Sequence, residues 1–423
     1  MSRRLAFCAV LALVVVPFLA SAFAQSQRTL TLQQALQRTW AGNPRLTAAD
    51  RDIGMALGRK LQAGAIPNPE LSFDLDNAYG TKAYRGTQSA ETTLQLSQLI
   101  ELGGKREARI AAGAAELQSV RWEREALRLE ILSDTAVAFF NVLGGQRRVQ
   151  IFDAQIAALD RLTPLLQRRV EAGASSPAET SRAQLAADLV RADRERAKTT
   201  LASARRELAA LMGTNNIDFS VVVGDLARTA NPPPFQTVLR ALENNPQIIR
   251  WTAVRAQRDA LLLSARLKPI PDVRVDVGWR HFRDTNDNAV RFGLSVPLPV
   301  WDQNKGSIIE AQEALAKTEA ERASNKANLI LLLGRAYDAL VGAQRELEIL
   351  RTSALPNARR AVEAMQNAYS QGRFSLLELL DVQNAAAQAE LRELEALINF
   401  HTSVATIEGL TGAPLSLART RSR

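Results

Sequence analysis

Few residues in this 423-residue chain are placed to do covalent chemistry. Its two histidines, His281 and His401, lie far apart, and a lone histidine is normally structural. The only cysteine is Cys8, so beyond it the chain has no disulfide, thiolate metal site or cysteine nucleophile. No nucleophile motif, glycine-rich phosphate loop or pair of catalytic acids stands out. The sequence therefore predicts no catalytic residue, no cofactor and no metal site. Its titratable groups fall into two other patterns. In one, a carboxylate follows a serine at fixed spacing in two hairpin-like stretches. In the other, the charged residues Asp74, Asp76, Arg274, Asp276, Arg280 and Arg291 alternate with large apolar ones.

The later hairpin stretch runs from Tyr369 to Asp381. Gly372 can take the positive φ that stops a helix, and Ser375 with Glu378 has the Ser-x-x-Glu spacing of a capping box that starts another. In the earlier stretch Gly173 stops, Ser176 caps, Pro177 suits the first helical position, and Glu179 is expected to close the box. A helix that ends and restarts within a few residues folds back antiparallel. The two tips lie nearly half a chain apart, which prompts a search for a repeat.

That repeat is present. Asn245-Pro246 matches Asn43-Pro44, Pro269 and Pro271 match Pro67 and Pro69, and Lys305 matches Lys105. The order predicts a leader at 1–24, a first unit at 25–229, a second at 230–412, and a short basic tail at 413–423. The leader has Arg3 and Arg4 before an apolar run from Leu5 to Ala20, then Ala22-Phe23-Ala24 as a small-x-small cleavage signal. The run is shorter than the ~20 residues of a membrane span. The net charge of +9 is dispersed as pairs such as Arg168-Arg169 and Arg359-Arg360 with acids between. Solvated helix faces explain this better than nucleic acid does.

The first unit opens with a helix started at Thr31, and each unit has a helix started at its Asn-Pro pair. Two strands follow in each, near 69–77 and 91–100, then near 272–281 and 289–298. A very long helical pattern comes next, to about Glu171 in the first unit, with Pro164 as its one internal breaker and an expected kink. A return helix runs from Pro177, and 215–234 reads as a linker. Each unit is expected to hold one continuous helix about 100 Å long at 1.5 Å per residue.

The strands alternate. Leu71, Phe73 and Leu75 face one way and Ser72, Asp74 and Asp76 the other. Val273, Val275, Val277 and Trp279 alternate with Arg274, Asp276 and Arg280, and Val290, Phe292, Leu294, Val296 and Leu298 with Arg291 and Ser295. A soluble sheet with one wet face would look like this, and so would membrane β-barrel strands. Four strands cannot close a barrel, and lipid tolerates no open edge. In a membrane, several copies would have to pool their strands. The fold class expected is mostly α with a small β part: a duplicated long-helix tunnel with a four-strand contribution per chain to a trimeric transmembrane barrel. The six charged strand residues would then line its lumen and tune ion passage.

This order resembles the TolC family of outer-membrane efflux factors over the whole mature chain. The resemblance is carried by Leu30-Thr31-Leu32-Gln33-Gln34-Ala35-Leu36, the Asn-Pro starts and both tips. Pro67-Asn68-Pro69-Glu70-Leu71-Ser72-Phe73 and Gln98 to Arg106 look more narrowly like its CzcC-type heavy-metal branch. The resemblance implies a homotrimer in outer-membrane lipid, a periplasmic adaptor (membrane fusion protein), an inner-membrane resistance-nodulation-division (RND) pump, no chemistry in this chain, and heavy-metal cations as cargo. A periplasmic adaptor or a duct for organic compounds is the alternative. It also implies a periplasmic gate at Tyr369, Glu378 and Asp381, with Glu179 in the first tip. Phe374 stands where the best-known member has arginine, which leaves the family's gate salt bridge without that partner. Capping by itself accounts equally well for Glu179 and Glu378, and helix packing for Tyr369. Leu376, Leu377, Leu379 and Leu380 suit coiled packing or a docking surface.

Overall fold

The computed structural model describes residues 29–173 and 175–415; the expected leader and the tail from 416 lie outside them. After a short strand β1 (Thr29–Thr31) come α1 (Leu32–Gly42) and α2 (Pro44–Ala63). The Thr31 hydroxyl accepts from the Gln34 amide, and the Gln34 side chain accepts from the Thr31 amide, which closes the expected box. Asn43 caps α2 through the Arg45 amide and donates to the Leu211 carbonyl at 2.8 Å. Asn245 caps its own helix in the same manner and reaches the Leu410 carbonyl. The Asn-Pro starts thus fix where each return helix ends.

Strands β2 (Glu70–Asp76) and β3 (Glu91–Ile100) lead into α3 (Lys105–Glu171), a 67-residue helix that continues through Pro164 as one element. After the tip at Gly173, α4 (Pro177–Leu211) returns. Strand β4 (Val221–Val223) then pairs in parallel with β1, a pairing absent from the linker reading of 215–234. Strands of three residues carry no periodic signal, and their partners lie far apart in sequence. The Gln146 amide of α3 brackets this pair, donating to the Val222 carbonyl and accepting its amide, each at 2.9 Å.

The second half follows with α5 (Phe235–Ala241), α6 (Pro246–Leu267), β5 (Val273–Phe282), β6 (Asp287–Ser295), α7 (Lys305–Ile349), α8 (Leu355–Ser370) and α9 (Leu376–Thr411). Its long helix departs from the expectation of one regular rod. A π-helical turn, Leu350–Ala354, separates α7 from α8. Pro356 follows, and its nitrogen cannot donate to the Thr352 carbonyl, so the ladder widens there.

β2, β3, β5 and β6 form one antiparallel sheet in that order, with β3–β5 joining the two strand pairs. β6 ends at Ser295, short of the expected Leu298. Ser295 pairs with Arg274, next to the first residue of β5, and Pro297 has no amide to extend the ladder. Leu99, apolar by type, pairs with Arg274 on the polar face. Two apolar cores hold the helices together. The larger centres on Phe139, Leu333, Leu340 and Phe400, and the smaller lies at the hairpin tips. No residue of β2, β3, β5 or β6 belongs to either core.

Candidate functional site: the hairpin tips and the bare sheet

The tips of the two halves meet in one small core. Ile156, Leu159, Leu162 and Leu166 of α3 pack with Ala183, Ala187 and Val190 of α4, Tyr369 of α8, and Leu376, Leu379 and Leu380 of α9. Three of the four tip leucines are therefore packing residues. Leu377 alone is exposed. Both Gly173 and Gly372 adopt positive φ, +68° and +72°, and let the chain reverse without strain.

Tyr369 is buried, and its ring lies beneath the Arg169 guanidinium, 5.1 Å from carbon to ring centroid. Arg169 also donates to the Tyr369 carbonyl at 3.3 Å. Arg168-Arg169 was expected to be a solvated pair; Arg169 instead clasps a residue 200 positions away. The Tyr369 hydroxyl is buried without a hydrogen-bond partner among the described residues. Desolvation pushes it above the usual tyrosine range; the nearby Arg169 charge opposes the rise and Glu179 adds to it.

The two tip glutamates differ. Glu378 accepts from the Ser375 amide and hydroxyl, both at 2.8 Å, and these bonds hold its carboxyl below the usual range. Glu179 makes no such bond. Ser176 caps α4 through the Ala178 amide, and the expected reciprocal bond from Glu179 is missing. The reason is local: the serine oxygen engages the second helical amide instead of the third. Glu179 is left half-buried near Tyr369. Asp381 lies exposed, one turn beyond Glu378.

On the sheet, cross-strand register sorts side chains by face. Phe73, Leu94, Trp279 and Val290 lie in one row, and Leu71, Leu96, Val277 and Phe292 in the next. All eight are exposed, Phe292 at 78%. Asp74, Asp76, Arg274, Asp276, Arg280 and Arg291 all share the opposite face. There Arg280 donates to Thr93 at 2.9 Å and Glu91 at 3.0 Å, and Arg274 to Glu70 at 2.6 Å and Ser97 at 3.1 Å. Asp276 has one carboxylate oxygen buried without a partner among the described residues. Glu70, Glu91, Thr93 and Ser97 were not among the expected site residues, although extending the strand alternation would have found them.

Neither histidine approaches a ligand set. His401 stacks on Phe140 with centroids 4.6 Å apart, and its Nε2 is hydrogen-bonded to the Leu226 carbonyl. Burial holds its pKa below the ordinary histidine value. Among the described residues no group of histidine, cysteine or carboxylate could hold a metal ion.

A fold of long paired helices carrying a small sheet, greasy on its outer face, defines an outer-membrane channel of the tunnel-and-barrel class. The comparisons agree. The family model "Outer membrane efflux protein" matches residues 31–214 and 238–413. The cobalt-zinc-cadmium resistance protein CzcC of Cupriavidus metallidurans is 30% identical over 383 residues, 90% of each chain. The nickel-cobalt-cadmium resistance protein NccC of Alcaligenes xylosoxydans is 24% identical over 67% of this chain and 64% of its own. The solved structure of CusC, a transmembrane channel, superposes with a TM-score of 0.79 over 90% of this chain and 92% of that one, at 14% identity. The chain belongs to the outer membrane efflux protein family. Its place is the outer membrane, with the helices extending into the periplasm, and the family is one of channels rather than enzymes.

Proposed function

We propose that three copies of this chain form one duct. Units 25–229 and 230–412 each supply a strand pair and a helical hairpin. One observation carries this: the sheet exposes a largely apolar face, and its outer strands, β2 and β6, each have one edge without a partner among the described residues. In hydrocarbon those amides and carbonyls must be paired, and sister copies pair them by closing a twelve-strand ring. The six charged residues of the opposite face then line the lumen, repeated threefold. An RND pump in the inner membrane and a periplasmic adaptor deliver cargo to the tips. Tyr369, Glu179 and Asp381 narrow that end, while Glu378 serves mainly as a helix cap.

The cargo is a set of divalent heavy-metal cations. Support comes from CzcC and NccC, both named for resistance to such metals, and from the acids on the polar face. The duct reading is tested by fractionation. Heat-labile trimers in outer-membrane extracts are expected, and a soluble periplasmic monomer overturns it. The cargo reading is tested by deletion of the gene followed by growth on zinc, cobalt, cadmium, nickel, copper and organic toxicants. Unchanged sensitivity to every metal removes the metal assignment.

A further inference from the structure

A cavity of about 460 Å3 opens between α1, α3 and α9, far from the sheet and from the hairpin tips. Its walls are apolar: Leu32 and Leu36 of α1, Leu129, Leu132 and Phe140 of α3, and Val404 of α9. All of them come from one copy of the chain, so the cavity is built without a sister subunit. A single charged side chain, Glu408, interrupts the lining at one end, and His401 stands at the other. Leaving such walls wet forgoes the burial of several large apolar side chains.

The chain itself leads into this cavity. Gly412 ends α9 in the left-handed region, at φ +68°. Ala413 and Pro414 then line the cavity. The Leu415 amide donates to the Glu408 carboxylate at 2.9 Å, and the Leu415 side chain packs against the larger core. Glu408 lies one helical turn before Gly412, so the chain has reversed and runs back along α9. From Glu408 to His401 the floor of the cavity is about 10 Å long at 1.5 Å per residue. An extended chain covers that distance in about three residues. Beyond Leu415 those residues are Ser416, Leu417 and Ala418, followed by Arg419. Asp225 lies beside His401, at the end where Arg419 would emerge. The stretch 25–28, which precedes β1, has no apolar side chain to offer.

We propose that 416–419 dock in this cavity, with Leu417 against its apolar walls and Arg419 beside Asp225. The docked tail pins α1 to α9 and thereby ties the start of the first unit to the end of the second. The test uses the full chain in a Cys8→Ser background, extracted from outer membranes. Ala136→Cys places one thiol in the cavity wall, and its reaction with a water-soluble maleimide is timed. Labelling should be slow with the native tail. Leu417→Asp should speed it by about tenfold or more, as expected when one leucine side chain is no longer buried. Rapid labelling with the native tail shows an open cavity and overturns the proposal. Slow labelling in both chains shows another occupant, such as the segment before β1, a sister copy or lipid, and overturns it equally. A second measurement leaves the tail apolar. Leu36→Cys paired with Leu417→Cys should form a disulfide within one chain on oxidation. No disulfide, or one that links two chains, overturns the assignment.

Discussion

The two hairpin tips carry the same punctuation and use it differently. At each, a glycine in the left-handed region ends one helix and a serine begins the next. At the second tip the glutamate completes a reciprocal cap with Ser375 and is held there. At the first, Ser176 caps alone and Glu179 is left half-buried near Tyr369. One motif thus yields a structural carboxylate in one copy and an available one in the other. The lesson is that a capping-box spacing fixes the start of a helix but not the fate of its acid.

The strongest way to break this comparison is through the core that both tips share. Leu166 and Leu379 are fully buried there. Replacing either with alanine should cost about 2–5 kcal/mol of local stability. Hydrogen exchange should rise around Gly173 and Gly372 alike in each variant. Faster exchange at one tip alone would show that the tips are independent. A smaller effect separates the caps. Ser375→Ala should destabilise the start of α9 by about 1–2 kcal/mol and Ser176→Ala the start of α4 by about 0.5–1 kcal/mol. Equal losses, read by exchange of the first-turn amides, would mean that the Glu378 bonds add nothing.

Acid offers a third comparison. The Glu378 carboxyl is lowered by its bonds to Ser375, so its contribution is present above the unfolded carboxylate pKa. It is lost as pH falls through the lower folded value. Protection at 375–378, taken relative to the intrinsic exchange rate at each pH, should therefore fall on acidification, and Glu378→Gln should flatten that response, with the first tip as the reference. The smallest effect is expected at Tyr369. Tyr369→Phe removes an unpartnered buried hydroxyl and should be neutral or stabilising by up to about 1 kcal/mol. A clear loss in the assembled protein, measured by thermal melting, would reveal that a sister copy satisfies the hydroxyl.

Much of this molecule was legible because its signals are short-range. Thr31 with Gln34, Asn43-Pro44 and Gly372 with Ser375 act over two to four residues, and each begins or ends a helix where expected. The strand faces were legible because alternation needs only neighbours. The rest depended on distant partners. Arg169 reads as one of a solvated pair until Tyr369 arrives from the other half. The linker around Val222 reads as structureless until Thr29–Thr31 and Gln146 meet it. Pro164 reads as a breaker, yet α3 continues through it, and the helix that widens into a π turn is the second, next to Pro356.

By itself, the sequence determined where helices start and stop, which strand face is apolar, and that the architecture comes in two copies. These follow from backbone conformation and side-chain periodicity, which are properties of adjacent residues. Only the tertiary structure decided that β3 joins β5, that Arg169 covers Tyr369, and that Glu179 rather than Glu378 stays free of a cap. Those outcomes depend on which surfaces meet after the chain reverses, where desolvation and competing hydrogen bonds choose among partners that local spacing leaves equivalent.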